Sequence, residues 1–422
     1  MMNNDYAQSN FGAAKRFRLI IREGGQAREM GGDDMSIAVG IVDNIFMNAL
    51  ETGTSDIHLQ PERDQLRIRY RQDGILHSTG ELPLEQAPNV LARLKLAAGM
   101  RIDEQREPQD GRIDMEYLGR RLSCRCSCLP SMNGEKLVMR ILDPAAMKVD
   151  LTKLGMPDDI YAKWSKAIDA PYGLILVTGP TGSGKTSTLY ASLNVMDAKT
   201  KNIVTVEDPI EYEYEKNIAQ VQVTERMPFP RVMRSFLRQD PDVMLVGEMR
   251  DPDSLAIGIQ AGLTGHLVLS TLHTNNAIET IGRMVDMNAE PYLIAGVILA
   301  ILAQRLVRLN CAKCRQPYKP TEDEIQSLKF TPEELEKGTF MKGAGCSECK
   351  MSGYKGRIGI FEIIIGTPEF KASVAENPTF AVLAEVARRQ GHRTMLDDGK
   401  AKAMSGWTTP AEVMRAVMTV AL

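Results

Sequence analysis

The sequence lacks several features that would indicate a nucleic-acid-binding, membrane or exported protein. Its acidic and basic residues nearly balance, with a formal net charge of -3, so no excess of positive charge suggests nucleic-acid binding. Aromatic residues are only 5% of the chain, which argues against a surface that stacks bases. The longest apolar run, residues 292–303, is too short to span a bilayer. Residues 1–26 are polar and carry no signal-peptide pattern.

A disulfide framework is also not indicated. The chain has seven cysteines, an odd number, which favours a reducing cytoplasm over an oxidising compartment. The remaining composition, 43% hydrophobic and 25% charged, is typical of a soluble globular protein. The length of 422 residues predicts two or three domains.

The most informative stretch is the phosphate-loop pattern, which matches at every fixed position. It consists of Gly179, Pro180, Thr181, Gly182, Ser183, Gly184, Lys185 and Thr186, followed by Ser187. An apolar run precedes it and a helical pattern follows it, as a strand–loop–helix unit requires. Glycines allow backbone N–H groups to surround a phosphate, and the helix N-terminus adds partial positive charge. Lys185 is predicted to reach the β- and γ-phosphates and Thr186 to ligate Mg²⁺. The chain is therefore predicted to bind a nucleoside triphosphate.

Periodic patterns predict an α/β protein built from several parts. In order, these parts are a flexible arm (1–35), an α+β domain (36–145), a linker ending in a helix (146–171), and an α/β domain (172–422) that includes a cysteine-bearing insert (306–357) and a helical C-terminal region (366–422). In the last domain strands alternate with helices, as in a parallel sheet. The predicted core strands are 174–177, 202–206, 243–246 and 266–270, and the predicted helices are 186–195, 230–238, 252–261 and 277–285.

Two strand ends supply the carboxylates that nucleotide hydrolysis needs for Mg²⁺ and for the attacking water. Glu207 closes one predicted strand and Glu248 follows another. Since the carboxyl ends of parallel strands border the nucleotide crevice, both side chains are expected there. Gly247 stands where such a strand usually carries aspartate, which leaves Glu248 to act alone or with Glu207. Two solvated acids without a catalytic role are the alternative.

Histidine and arginine candidates complete this set. His273 follows a core strand and could contact the γ-phosphate, although a hydrogen-bonded structural histidine is the alternative. Arginines commonly neutralise charge on a transferred phosphoryl group, often from a neighbouring subunit. The candidates are Arg125, Arg140, Arg231, Arg234, Arg238 and Arg250. Each of them, considered singly, is also compatible with a surface charge.

Four boxes in this order resemble the secretion ATPases that power type II secretion and type IV pilus assembly. They are the phosphate loop, the acidic box Val204–Glu211, the Walker B box Arg238–Asp251 and the histidine box Gly262–Asn275. Upstream, Ser55–His58, Pro108–Arg112 and Asn133–Glu135 resemble the second N-terminal domain of that family. The similarity runs from about residue 36 to the end of the chain.

The resemblance implies a RecA-like phosphate-loop ATPase domain preceded by a smaller, PAS-like α+β domain. It also implies a cytoplasmic, Mg²⁺-dependent hexameric ring that uses ATP. In this interpretation Glu248 is the catalytic glutamate, and Arg125 and Arg140 reach the phosphates from the N-terminal domain. Arg234, Arg238 and Arg250 stand at positions of further functional arginines.

The resemblance also implies partners. The ring is expected to act on pilin or pseudopilin subunits through an inner-membrane platform protein, and to associate peripherally with the inner membrane through it. Many family members dock with a large first N-terminal domain, whereas about 35 residues precede the second domain here. Docking through a short arm or another surface is therefore expected.

Two C-x-x-C pairs predict a structural zinc site in the insert. Cys311, Cys314, Cys346 and Cys349 offer the four thiolates that Zn²⁺ prefers, and assembly ATPases of this family carry such pairs. Chance cysteines or a redox pair are the alternatives. Cys124, Cys126 and Cys128 alternate along a strand and are interpreted as packing residues.

Four functional hypotheses remain at this stage. The main hypothesis is a motor for pilus or pseudopilus assembly, which the tetracysteine insert favours because retraction ATPases usually lack it. A retraction or conjugation-type secretion ATPase shares the same core. A zinc-ribbon, nucleic-acid-dependent NTPase such as a helicase comes from a different class. A ring that binds ATP without turnover has Gly247 as its only support.

Overall fold

The computed structural model describes residues 17–23, 26–29, 37–143, 150–214 and 217–417. These residues divide into two compact units, one on each side of residues 144–149, and each unit has its own large sheet. No helix in the described part of the chain is long and apolar enough to cross a membrane.

The first unit is an antiparallel sheet with two helices. Its strands are β1 (Phe17–Glu23), β2 (Gln26–Glu29), β3 (Asp56–Pro61), β4 (Gln65–Gln72), β5 (Ile75–Pro83), β6 (Gln109–Tyr117), β7 (Arg120–Ser131) and β8 (Gly134–Leu142), and its helices are α1 (Ile37–Glu51) and α2 (Ala87–Ala97). The strand order is β2-β1-β6-β7-β8-β3-β4-β5. On β4 the apolar side chains Leu66, Ile68 and Tyr70 are buried while the intervening arginines are not, so this strand is half-buried and has one cationic face.

A buried ion pair crosses the first unit. Lys95 of α2 is 1% exposed, and its Nζ lies 2.7 Å from Oε1 of Glu135 on β8. The same ammonium donates to the Glu104 carbonyl at 2.6 Å. Two partners therefore compensate a charge that would be costly to bury alone. Glu135 belongs to one of the upstream segments that resemble the family, and this ion pair gives it a structural role.

The second unit is a mostly parallel sheet covered by helices. Its strands are β9 (Gly173–Thr178), β10 (Ile203–Glu207), β11 (Ile218–Gln222), β12 (Val243–Val246), β13 (Leu267–Leu272), β14 (Ile298–Asn310), β15 (Arg315–Pro317), β16 (Met341–Gly343) and β17 (Tyr354–Ile365). Its helices are α3 (Asp158–Ile168), α4 (Lys185–Val195), α5 (Phe229–Phe236), α6 (Pro252–Leu263), α7 (Glu279–Asp286), α8 (Pro291–Val297), α9 (Glu322–Leu328), α10 (Pro332–Lys337), α11 (Pro368–Glu376), α12 (Phe380–Arg389), α13 (Met395–Met404) and α14 (Pro410–Val417). The main sheet has the order β11-β10-β12-β13-β9-β14-β17, in which β17 alone runs antiparallel to its neighbour.

Alternate residues of the central strand β9 face two separate cores. Leu174 and Leu176 pack in a cluster with residues of α5, α6 and α8. Ile175 and Val177 pack in another cluster with residues of α3 and α4. Because both faces are covered, central strands of this sheet are near-continuous apolar runs, as buried parallel strands require. The predicted α/β class and the four predicted core strands are confirmed within one or two residues.

The structure corrects the predicted boundaries at three places. Residues 17–23 and 26–29, assigned to a flexible arm, form β1 and β2, and β1 pairs with β6. The helix predicted at the end of the linker is α3, and its apolar face packs in the core of the second unit. It therefore belongs to that unit and not to a linker. The predicted insert 306–357 begins and ends inside long core strands, since β14 extends to Asn310 and β17 starts at Tyr354. Residues 1–16 and 30–36 lie outside the described part.

Candidate active site and metal centre

The phosphate loop connects β9 to α4 and lies against β14. Gly184 forms the N-cap of α4 with a φ of 88°, a conformation that favours glycine. A Cβ at Gly179 would lie 2.4 Å from the Gln304 carbonyl oxygen, so no larger residue fits there. The Ser183 hydroxyl is buried without a hydrogen-bond partner among the described residues. A phosphate oxygen in the loop is the kind of acceptor that would satisfy it, so these residues fit a bound nucleotide.

Lys185 lies folded over the loop. Its Nζ donates to the carbonyls of Gly179 at 2.8 Å and Pro180 at 3.1 Å. Burial lowers the pKa of Lys185 to about 8, with Arg250 adding to this effect and Glu248 opposing it. The structure thus holds a partly desolvated ammonium group in the loop, where an anionic ligand would restore the charged form.

Glu248 lies in a cluster of cationic and titratable groups. Its Oε2 is 2.6 Å from Nε of Arg250 and 3.6 Å from Nε2 of His273, and its side chain is partly exposed. Burial lowers the pKa of His273, the Lys185 ammonium adds to the shift, and Glu248 opposes it. His273 is therefore neutral near pH 7. The structure brings Glu248, Arg250, His273 and Lys185 into one electrostatic cluster.

Glu207 lies in a different environment. It is 4% exposed, and its Oε2 accepts a short hydrogen bond from the Tyr190 hydroxyl. Its Oε1 accepts from Oγ1 of Thr205 at 2.7 Å and from Nε2 of Gln220 at 3.1 Å. Both oxygens are thus occupied by protein donors, which suits a structural carboxylate better than a base that must contact water.

The backbone that carries Glu248 and His273 is held by hydrogen bonds between neighbouring strands. Gly247 donates to the Val206 carbonyl at 2.8 Å and accepts from Oγ1 of Thr271 at 2.8 Å. Met249 donates to the Thr271 carbonyl at 3.1 Å. The ends of β10, β12 and β13 are therefore tied together, which limits the movement of the glutamate.

Two arginines of α5, and Arg238 just after its end, are not joined to this cluster by any contact within the described residues. Arg231, Arg234 and Arg238 are exposed. Arg231 donates to the Arg226 carbonyl and Arg238 to the Arg234 carbonyl. Their predicted role in catalysis stays a prediction.

In the first unit, strand register places five charged residues in one row. Arg112, Arg125, Arg140, Asp56 and Arg71 are successive cross-strand partners on β6, β7, β8, β3 and β4. Arg140 donates to Asp56 at 2.8 Å. Burial opposes ionisation of Asp56, but hydrogen bonds from Arg140 and Ser55 outweigh it and lower the pKa of this carboxyl.

This row contains four arginines and one acid. Like charges directly opposite one another are unfavourable in a sheet, so the row is suited to an anionic ligand. Arg112 and Arg71 were not among the arginines selected from the sequence, because their register with Arg125 and Arg140 depends on pairings between distant strands.

A cavity of about 680 Å³ opens beside the phosphate loop. Its lining includes Pro180 and Thr181 of the loop, His273, Glu279 of α7 and Phe380 of α12. The volume is within the range of small-ligand sites. The C-terminal helical region therefore borders the loop as well as the sheet.

The sequence did not single out Gln304, which touches the loop from β14. This residue is 2% exposed, and its Nε2 donates to the Ser183 carbonyl at 2.8 Å. Its Oε1 accepts from Oγ1 of Thr188 at 2.7 Å. The signal that could have identified it is a polar amide at the end of an otherwise apolar run.

The four predicted metal-ligating cysteines converge. Their sulfur atoms all lie within 4.8 Å of one another, with Cys311–Cys346 at 3.8 Å and both Cys314–Cys349 and Cys346–Cys349 at 3.7 Å. Four sulfurs bonded to Zn²⁺ at about 2.3 Å in a tetrahedron are about 3.8 Å apart. Backbone N–H groups of Cys346 and Gly353 donate to the Cys349 sulfur, which favours a thiolate. The geometry therefore fits a structural zinc ion.

Comparison with known proteins decides the family. The model of a family described as "Type II/IV secretion system protein" matches residues 32–415. Type II secretion system protein E of Pseudomonas aeruginosa is 43% identical over 388 residues, which cover 92% of this chain and 76% of the relative. The chain belongs to the type II/IV secretion system protein family.

Other family members and solved structures agree with this assignment. Type IV pilus assembly ATPase PilB of Pseudomonas aeruginosa is 41% identical, over 91% of this chain and 68% of the relative. The pilus retraction motor PilT, solved with bound ADP, has a TM-score of 0.59 at 26% identity, covering 88% of this chain and 95% of PilT. The Legionella pneumophila ATPase DotB has a TM-score of 0.66 at 20% identity, covering 92% and 97% of the two chains, and supports the fold. The predicted RecA-like fold class with a cysteine-bearing insert is confirmed.

Zinc content tests the tetracysteine site. We expect this protein, once purified, to contain about one Zn²⁺ per chain. The Cys346→Ser variant should lose the metal, and its insert should have a lower thermal stability. Elemental analysis and thermal unfolding measure the two effects. Cys126→Ala, which removes a buried cysteine of the first unit, should keep the metal. A metal-free wild-type protein, or equal zinc in both variants, would contradict the assignment.

The lowered pKa of Lys185 predicts how nucleotide affinity depends on pH. The charged form binds phosphate, so affinity should be nearly constant up to about pH 7, fall about twofold by pH 8, and fall by up to about tenfold per pH unit above that. In that range ligand binding should take up one proton, because phosphate raises the pKa of the ammonium group. Calorimetry with ADP in buffers of different ionisation enthalpy measures both quantities. An affinity unchanged to pH 9.5 would contradict the prediction.

Proposed function

We propose that this chain is a hexameric motor ATPase that couples ATP hydrolysis to the assembly of type IV pili or type II secretion pseudopili. It would act through an inner-membrane platform protein, from the cytoplasmic face of that membrane. The names of its relatives support the process, since they are a type II secretion protein and a pilus assembly ATPase. The cluster of Lys185, Glu248, Arg250 and His273 supports hydrolysis.

The observation that carries the proposal is the difference between the two candidate glutamates. Glu207 has both oxygens occupied by buried donors, whereas the Glu248 side chain lies beside cationic groups and is 13% exposed. A carboxylate that orients or deprotonates water needs an accessible oxygen. Glu248 is therefore proposed as the base, and Glu207 as a residue that fixes the end of β10.

The remaining residues take roles that follow from their positions. Lys185 and the loop N–H groups would hold the phosphates, and the Thr186 hydroxyl would hold Mg²⁺, which neutralises charge on the transferred phosphoryl group. Arg250 would orient the Glu248 carboxylate through their ion pair. A neutral His273 would donate or accept a hydrogen bond next to this carboxylate without adding charge.

The arginines at distant positions enter this proposal through the family resemblance. Arg125 and Arg140 belong to a cationic row in the first unit, and their action on nucleotide stays a prediction. The same holds for Arg234 of α5 and for Arg238, which follows that helix. Their exposure in a single chain is compatible with a role across a subunit boundary.

A retraction motor is the second candidate, because PilT is among the similar structures. The tetracysteine geometry favours assembly or secretion instead, since retraction ATPases of this family usually lack it. Assembly is therefore the function that we propose for this chain.

Replacing each glutamate by its amide tests the proposed base. Glu248→Gln should lower the rate of ATP hydrolysis by at least about 100-fold and retain ATP binding, so that bound ATP accumulates. Phosphate release and the ATP-to-ADP ratio of the bound nucleotide measure the two effects. The control variant Glu336→Gln alters an exposed glutamate on α10 and should behave like the wild type.

The outcome for Glu207→Gln separates the two glutamates. This change should reduce stability, because an amide cannot accept at both ends from Tyr190, Thr205 and Gln220, while the folded fraction keeps its hydrolysis rate. Normal hydrolysis by Glu248→Gln together with an inactive but folded Glu207→Gln would reverse the assignment.

A further inference from the structure

A chain of buried hydrogen bonds leads away from the phosphate loop. It starts at the Ser183 carbonyl, which accepts from Nε2 of Gln304 at 2.8 Å. Oε1 of Gln304 accepts from the Thr188 hydroxyl at 2.7 Å, and Thr188 is 0% exposed. These groups lie between the loop, α4 and β14. Polar groups buried in such a place need hydrogen-bond partners. Loss of one of these bonds would leave a buried donor or acceptor without its partner.

The orientation of the Gln304 amide follows from its neighbours. A carbonyl oxygen can only accept, so the NH₂ end must face Ser183 and the oxygen must face Thr188. Across a planar trans peptide, the Gly184 N–H points opposite to the Ser183 carbonyl. By holding that carbonyl towards β14, Gln304 directs the Gly184 N–H away from β14, towards the side on which a phosphate would bind.

The same chain continues to α3. The Thr188 carbonyl accepts from Oγ of Ser192 at 2.8 Å, and Oγ of Ser192 accepts from Nε1 of Trp164 at 2.9 Å. Trp164 is 0% exposed and packs in the core on this face of the sheet. These contacts connect the Ser183 carbonyl, through Gln304, Thr188 and Ser192, to an indole on the helix that follows residues 144–149.

We propose that Gln304 is a positioning residue of the nucleotide site, and that its hydrogen bonds transmit the state of the phosphate loop to Trp164 on α3. The role depends on the proposed binding of nucleotide at the loop. It gives β14, the sixth parallel strand of the core, a part in recognising phosphate, and it makes α3 responsive to the ligand.

Affinity for ADP tests the positioning role. Gln304→Met keeps the volume and removes both hydrogen bonds, so it should weaken ADP binding about tenfold. Gln304→Glu can donate only when protonated, and burial raises the pKa of such a carboxyl. Its affinity relative to wild type should therefore be higher at pH 6 than at pH 9, whereas the ratio for Gln304→Met should stay low throughout. Gln326→Glu, exposed on α9, is the matched control.

Tryptophan emission tests the transmission. The chain has two tryptophans, and Trp407 is half-exposed, so Trp407→Phe leaves Trp164 as the only reporter. In that background ADP should shift the Trp164 emission. Ser192→Ala should abolish the shift while ADP affinity stays within about twofold, because this change breaks the chain beyond the loop.

The outcomes separate the inference from the proposed function. If the wild type binds no nucleotide, the proposed function fails. If the wild type binds ADP and Gln304→Met binds it equally well, the positioning role is wrong. If Trp164 emission does not respond to ADP, or responds equally in Ser192→Ala, the transmission is wrong.

Discussion

The nucleotide site depends on a hydrogen bond to a backbone carbonyl of the phosphate loop, one that points away from the side where phosphate would bind. A phosphate loop must present its N–H groups to one side, so its carbonyls need hydrogen-bond donors elsewhere. In this chain Gln304 of β14 supplies one of these contacts to Ser183, and the close approach of the β14 backbone allows only glycine at position 179. The loop is thus shaped by a strand that lies far from it in the sequence.

Charge around the loop follows from the same geometry. Lys185, Arg250 and Glu248 lie close together beside a neutral His273, which leaves an excess of positive charge in a partly buried site. Such an excess is unfavourable without a ligand and is compensated by a polyanion. Burial, which lowers the pKa of Lys185, makes its charge more costly still. Glu248 is the carboxylate of this cluster, and its side chain is partly exposed. The arrangement is compatible with the proposed role of Glu248 beside bound phosphate.

The sequence predicts the parts of this fold that depend on local signals. The phosphate loop, the core strands and the C-x-x-C pairs are each determined by adjacent residues, and all were located correctly. The run that forms α8 and β14 was not interpreted as a strand, because a short apolar run fits a helix or a buried strand equally well. The roles of Gln304 and Glu207, and the register of the arginine row, depend on contacts between distant elements. Such contacts leave no periodic pattern in one sequence.

The most direct test of the motor proposal is to measure ATP hydrolysis and molar mass on the same samples over a range of protein concentrations. Light scattering with ATP and Mg²⁺ gives the mass. The account predicts that specific activity rises as hexamers replace single chains, because charge on the transferred phosphoryl group is neutralised partly by arginines of a neighbouring subunit. Full specific activity in a sample that contains only single chains would contradict it.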